Sequence, residues 1–267
     1  MSKRLTGLAT AILVTVSLLS ITPAASAGSR VSTLGTDRPI EFCPEEPLVE
    51  SEGALDTTVG CDDQQDDIAQ SRAFMTEFGV PEDTQDELIT NALAGVLPLS
   101  EDPSAEPVST ESGENSDSTF QVLRYSDGSL AVREIEKSTA ASGTRGVQAV
   151  TGCSHSGTTH FTTYSGCKIH YRTVVFSYGF YASFRIYGSG NDSVISAGSK
   201  FQEYSIGHSR LDWRLRIINQ TEDPGNNAHI ELSIRYLILP SVGEIQKGVR
   251  LRVGSNKYCQ KTNTSNC

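Results

Sequence analysis

In the second half of the chain, apolar and polar residues trade places at every second position. Ile230, Leu232, Ile234 and Tyr236 alternate with Glu231, Ser233 and Arg235, and Val249, Leu251 and Val253 with Arg250 and Arg252. Leu211, Trp213, Leu215 and Ile217 alternate with Arg210, Asp212, Arg214 and Arg216. Across 167–187, Phe176, Tyr178, Phe180, Phe184 and Ile186 recur on one side, with Gly179 as a bend or bulge and a turn expected over 177–180. Weaker strands are read at 160–164, 193–196 and 201–206, with turns at 188–192 and at Asp223-Pro224-Gly225. Successive strand side chains face opposite ways, so each such segment has one apolar and one polar face. The pattern predicts an all-β region over 150–267, an antiparallel β-sandwich of about seven to nine strands, with a small closed barrel as runner-up.

Before residue 150 the period changes. Ile68, Phe74, Met75 and Phe78 recur at helical spacing from Asp63 on, and Gly79 can close the helix in a left-handed cap. Thr84 and Glu87 have capping-box spacing ahead of the stripe Leu88, Ile89, Ala92 and Leu93, which ends at Gly95. This helical hairpin, 63–97, is too short to be stable alone and must dock on a larger body. Pro, Ser and Glu dominate 98–118, which reads as a disordered linker. Residues 119–136 alternate on both sides of Asp127-Gly128 and read as a β-hairpin. A Ser/Thr/Ala/Gly linker follows over 137–149, and a non-periodic, cysteine-containing segment, 28–62, precedes the helices.

Lys3 and Arg4, the apolar run over 8–21 and Ala25-Ser26-Ala27 form a secretory signal peptide over 1–27, too short to be a membrane span. Secretion to the extracellular space is therefore expected, where six cysteines oxidise. They fall into couples close in sequence: Cys43 and Cys61, Cys153 and Cys167, Cys259 and Cys267. Sequence does not fix the pairing, but local bridges are the simplest expectation, worth roughly 2–3 kcal/mol each through loop closure. With no cysteine directly after the cleavage site, where Gly28 stands, and no apolar tail, the product is expected to be released. The net charge of −10 hides two opposed halves: 28–150 carries −18 and 151–267 carries +6. Contact or shielding between an acidic segment and a basic face follows as an expectation.

Two stretches, Phe78-Gly79-Val80-Pro81-Glu82-Asp83-Thr84-Gln85-Asp86-Glu87-Leu88-Ile89 and Arg124-Tyr125-Ser126-Asp127-Gly128-Ser129-Leu130-Ala131-Val132, resemble a group of secreted actinobacterial proteins of unknown function. That group shares the plan of signal peptide, short helical segment, linker, Asp-Gly-Ser hairpin and all-β C-terminal region with an early cysteine pair. The resemblance implies secretion and a β domain. It implies no activity, cofactor or catalytic residue.

Candidate chemistry is sparse. Cys153, His155, His160, Cys167 and His170 include zinc-ligand types, but their spacing matches no zinc module, and the cysteines of an exported chain are better read as a disulfide. No nucleophile-elbow, His-Glu-x-x-His or phosphate-loop motif occurs. His208 with Glu203 and Asp212 has the residue types of proton transfer but reads as loop polars, and Glu222-Asp223 reads as turn residues. The tyrosines over 164–187 read as sheet packing. The arginines form the one suggestive set: Arg210, Arg214 and Arg216 on one face of one strand, with Arg235, Arg250 and Arg252 on the polar faces of two later strands. In a shared sheet they make a basic surface whose forked donors suit phosphate or carboxylate. The expected function is extracellular binding or interaction through this basic face with the ligand left open, an anionic cell-surface polymer or lipid being the candidate partner, and with no cofactor, no catalytic residues and no specific mark of nucleic-acid binding. The alternatives are an acidic pro-segment cut near Thr144-Arg145-Gly146 to release a cationic membrane-active or antibacterial effector, and, more remotely, an extracellular hydrolase.

Overall fold

The computed structural model describes residues 61–140, 152–238 and 243–261. The stretch read as a signal peptide, Cys43, the 144–146 linker and Cys267 lie outside them. Two helices come first, α1 (Cys61–Glu77) and α2 (Glu82–Leu93). Gly79 at φ +72° closes α1, while Gly95 at φ +80° follows α2. The capping box does not form: α2 starts behind Pro81, with no side-chain cap. Pro presets the first-turn φ and gives up an amide that would have no helical partner, so the helix can start there without Thr84. Phe74, Met75, Leu88, Ile89 and Ala92 are buried in the same core as the strands, so the hairpin docks.

The Pro/Ser/Glu-rich segment read as a disordered linker is ordered. It forms a 3-10 turn over Leu99–Glu101 and a strand, β1 (Ser109–Glu114), paired along its length with β2 (Ser118–Arg124). Backbone pairing needs no apolar side chains, so an edge strand that is mostly exposed leaves little trace in composition. β3 (Leu130–Glu136) completes the expected hairpin across Gly128, at φ +81°. The start of the second linker contributes β4 (Thr139–Ala140).

Eight more strands follow: β5 (Ser154–Gly157), β6 (Phe161–Thr173), β7 (Phe176–Tyr187), β8 (Ser193–Ser205), β9 (His208–Asn219), β10 (Ala228–Ile238), β11 (Gly243–Gly254) and β12 (Lys257–Lys261). Sheet A runs β1-β2-β3-β6-β7-β8, with β5 and β4 beside the first half of β6 and β3 beside its second half. Sheet B runs β12-β11-β10-β9. The 167–187 stretch turns at Val174-Val175, not over 177–180. Both valines are fully buried, and Ser71 of α1 donates to the Val174 carbonyl at 2.6 Å. A turn covered in this way needs no polar signal residues.

The two sheets face each other. Ile230, Leu232, Ile234 and Tyr236 of β10 and Val249, Leu251 and Val253 of β11 are fully buried, as are Phe176, Phe180 and Phe184 of β7, with Tyr178 almost so. Phe176 meets Tyr236 with ring centroids 4.4 Å apart, and Phe184 meets Tyr258 at 4.8 Å. The sheets share no ladder, so the fold is an antiparallel sandwich and not a closed barrel. Cys153 and Cys167 form a disulfide, and Cys259 is also disulfide-bonded. No helix among the described residues is long and apolar enough to cross a membrane.

Candidate functional site

The outer face of sheet B follows from register. Arg216, Glu231 and Arg250 lie side by side across β9, β10 and β11; Arg214 sits beside Ser233, Arg235 between Asp212 and Gln246, and Arg252 beside His229. The inward neighbours on β10 and β11 fill the core, and Trp213 and Leu215 of β9 pack against it while Ile217 stays exposed, so alternation turns these residues out. Five of the six expected arginines, Arg214, Arg216, Arg235, Arg250 and Arg252, therefore share one surface. Arg210 does not. Arg235 pairs with Asp212 but Tyr236 pairs with Arg210, which leaves Leu211 as the extra residue of a β-bulge. The bulge shifts the alternation, and the Arg210 guanidinium lies 4.0 Å from the Trp213 ring centroid and reaches Gln202. The same irregularities help leave Leu211 and Ile218 exposed on this edge strand, where full alternation would have buried at least Leu211.

Carboxylates partly balance the face. Arg250 bonds Glu231 at 2.6 Å, Arg214 bonds Asp212 at 2.9 Å, and Arg235 meets Glu244 at 3.3 Å. Arg216 and Arg252 have no ion pair among the described residues. Acidic side chains of the first half do meet basic ones of the second, but elsewhere: Glu77 and Glu134 with Arg172, and Glu101 with Lys247. None of the described ones covers the outer arginines of sheet B.

The histidines separate. His155 reaches Ser138 at 3.0 Å, and the thiols near it are spent in the disulfide. His208 is buried with its Nδ1 on the Ile206 carbonyl, away from Glu203, while Asp212 is held by Arg214, so that cluster does not assemble. Glu203 instead joins a network, buried at His170 and Ser177 and open to solvent at Glu203, that no sequence spacing announces. Ser177 donates to Glu203 at 2.7 Å, His170 Nε2 lies 2.8 Å from Ser177 Oγ, Lys168 donates to Glu203 at 2.9 Å, and His170 Nδ1 faces Glu134 at 3.7 Å. The residue types are those of a nucleophilic triad, but the proton order is wrong for one. The single Ser177 proton goes to Glu203, so Ser177 accepts from His170 and is not activated by it. With Ser177 fully buried, the network braces the outer side of sheet A.

This network gives the fold an acid limit. Burial pushes His170 below the usual histidine range, against the pull of Glu203, and burial does the same to His208. Burial alone would raise Glu203, but hydrogen bonds and charge from His170, with bonds from Lys168 and Ser177, outweigh it and hold the carboxyl well below its ordinary range. All three groups bind fewer protons folded than unfolded. Their stabilisation is complete above the unfolded histidine value of about 6.5 and is lost as pH falls, the histidine part first and the Glu203 part below about 4.5. Urea-unfolding free energies are expected to fall steadily from pH 7 to pH 4, with His170→Gln flattening the upper part. A flat profile above pH 5 would refute this assignment.

No family model matches the chain, and no curated protein matches it. Among solved structures, a hypothetical protein of Listeria monocytogenes shares 14% identity with it, over 55% of this chain and 94% of that one, at a TM-score of 0.31, a likeness too slight to inform fold or function.

Proposed function

We propose that this is a secreted binding protein that uses the outer face of sheet B to hold an anionic polymer or lipid surface outside the cell. The observation that carries the reading is the gathering of Arg214, Arg216, Arg235, Arg250 and Arg252 on one sheet face, two of them without an ion pair among the described residues. Adjacent strands repeat every ~4.8 Å and same-face residues every ~7 Å, so the guanidinium groups form a grid suited to a repeating anion rather than a single small one. The pro-segment alternative is less favoured. β3 pairs with β6 from Ala131 to Ile135, and Phe74, Met75 and Leu88 share the β-sandwich core, so a cut near 144–146 leaves the two halves packed together. Secretion rests on the signal-like N-terminus, and the actinobacterial grouping on the two resembling stretches.

The test is a salt-dependent pull-down on isolated cell walls and on anionic vesicles. Replacing Arg214, Arg216, Arg250 and Arg252 by Gln is expected to weaken binding by more than about tenfold and to flatten its salt dependence. Unchanged binding by a folded quadruple variant would reduce the face to solvated surface.

A further inference from the structure

Beyond Arg252 and His229 the outer face of sheet B runs into a cleft of about 640 Å³ between two hairpin turns. One turn, Asp223-Pro224-Gly225-Asn226, lies between β9 and β10 and has Gly225 at φ +92°, as the second central position of a type II turn requires. The other joins β11 to β12 through Ser255 and Asn256, both at positive φ, in the manner of a type I′ turn. Two carboxylates brace them. Glu222 accepts the Ser255 amide at 2.9 Å and the Asp192 amide at 3.2 Å, and the fully buried Asp192 accepts the amides of Tyr187 at 2.7 Å and Asn256 at 2.9 Å. A Cβ on Gly254 would sit 2.7 Å from Asn227 Oδ1, so the floor is closely fitted too. The cleft is shaped before any ligand arrives, and its volume falls in the range of small-molecule sites, about 300–1,000 Å³.

Its lining divides by chemistry. β10, β11 and the start of β12 supply the imidazole of His229 and two cations, Arg252 and Lys257. The 222–227 turn supplies acceptors and amides: Asp223, Asn226 and Asn227. Glu222 spends both oxygens on backbone amides, which fixes it in place but leaves its negative charge at the turn side of the cleft, away from hydroxyl recognition. A bare anion would meet the Asp223 carboxylate, and a neutral polyol would leave the Arg252 guanidinium unused. We infer that the cleft binds a phosphate ester of a polyol or sugar, with the phosphate on Arg252, His229 and Lys257 and the hydroxyls on Asp223, Asn226 and Asn227. The inference rests on the basic-face reading and deepens it: Arg252 belongs to both surfaces, so a terminal unit fills the cleft while the following phosphates cross Arg250, Arg216 and Arg214.

The full-length secreted protein is titrated by NMR with sn-glycerol 3-phosphate, inorganic phosphate and glycerol, following the backbone amides of 225–229 and 254–257. Glycerol 3-phosphate is expected to shift these amides and to saturate at roughly a tenfold lower concentration than phosphate, while glycerol alone does not bind. Arg252→Lys is expected to weaken the ester by roughly tenfold, because an ammonium cannot form the forked contact. Asp223→Asn, which leaves the cations in place, is expected to erase most of the preference over phosphate. Poly(glycerol phosphate) in solution and phosphatidylglycerol vesicles then separate a wall polymer from a lipid headgroup as the source. An ester that binds no better than phosphate, or shifts elsewhere, overturns the cleft assignment. If polymer binding still depends on Arg214, Arg216 and Arg250 in that case, the basic-face reading survives. If the ester fills the cleft while polymer binding ignores those arginines, the face reading fails and the cleft stands.

Discussion

Replacing Lys247 by Met is expected to destabilise the fold by about 3–5 kcal/mol, the usual cost of breaking a buried ion pair from one side. Lys247 of β11 donates to both the Glu101 carboxylate and the Glu101 carbonyl, each at 2.7 Å, and the Glu101 side chain is only 1% exposed. Its other carboxylate oxygen is already buried with no hydrogen-bond partner. Without the ammonium, the whole carboxylate sits in a desolvated place with nothing to offset its charge. The pair also pins the 98–107 segment across the sandwich, helped by the Leu99 amide on Asp127 at 2.7 Å and the Ser100 amide on Ser129 at 3.0 Å. A double variant, Glu101→Leu with Lys247→Met, should recover most of the loss, because removing both charges removes the desolvation cost with them. Urea-unfolding midpoints of the three proteins measure this. A single-variant loss below about 1 kcal/mol would mean that the pair is hydrated and does not clamp the segment.

Gly179→Ala is the second large effect, expected near 3 kcal/mol, the upper part of the range for overpacking. A Cβ at this position would lie 2.2 Å from the Ile169 carbonyl oxygen and 2.5 Å from the Phe201 ring. The ring can swing away, but the carbonyl belongs to the β6–β7 ladder and cannot move without opening it. Phe201→Ala should therefore rescue Gly179→Ala only in part. Gly225→Ala is the control: its Cβ would meet nothing within 4 Å, and only its φ of +92° is at stake, a cost of roughly 1–2 kcal/mol. A loss at Gly179 below about 1 kcal/mol would show that sheet A gives way around the added methyl and that the crowding is not rigid.

Gly179 also shows how far a reading of sequence reached. As a glycine among alternating aromatics it signalled an irregularity, and it was read as a bend or bulge, with a turn expected over 177–180. The irregularity is there, as register shifts of the β7–β8 ladder at Ser177/Tyr178 and Phe180/Ala182 on either side of Gly179, but the turn is not, and Phe201 of the neighbouring strand covers the bare backbone. The turn lies at Val174-Val175, where two apolar, β-branched residues suggest strand until α1 is seen to cover them. The 98–118 segment departs from the disorder its composition predicts for a related reason. Composition measures whether a segment can build its own core, whereas β1 is held by backbone pairing with β2 and Glu101 by a buried ion pair with Lys247 of the distant β11.

The candidate site divides in the same way. Period-2 alternation determined that β9, β10 and β11 have a core side and a guanidinium-rich side, because each side chain's direction follows from its position in an extended chain. Only the tertiary structure decided which strands became neighbours, that a bulge at Leu211 takes Arg210 off the face, and that Arg250 and Arg214 are engaged by acids while Arg216 and Arg252 are not. It alone brought Asp192, Glu222 and the 254–257 turn together around a cleft, and His170, Ser177 and Glu203 into one network. The physical reason is range: alternation and turn chemistry act within a few residues, while strand order, bulge register and the pairing of buried charges depend on partners tens of positions away.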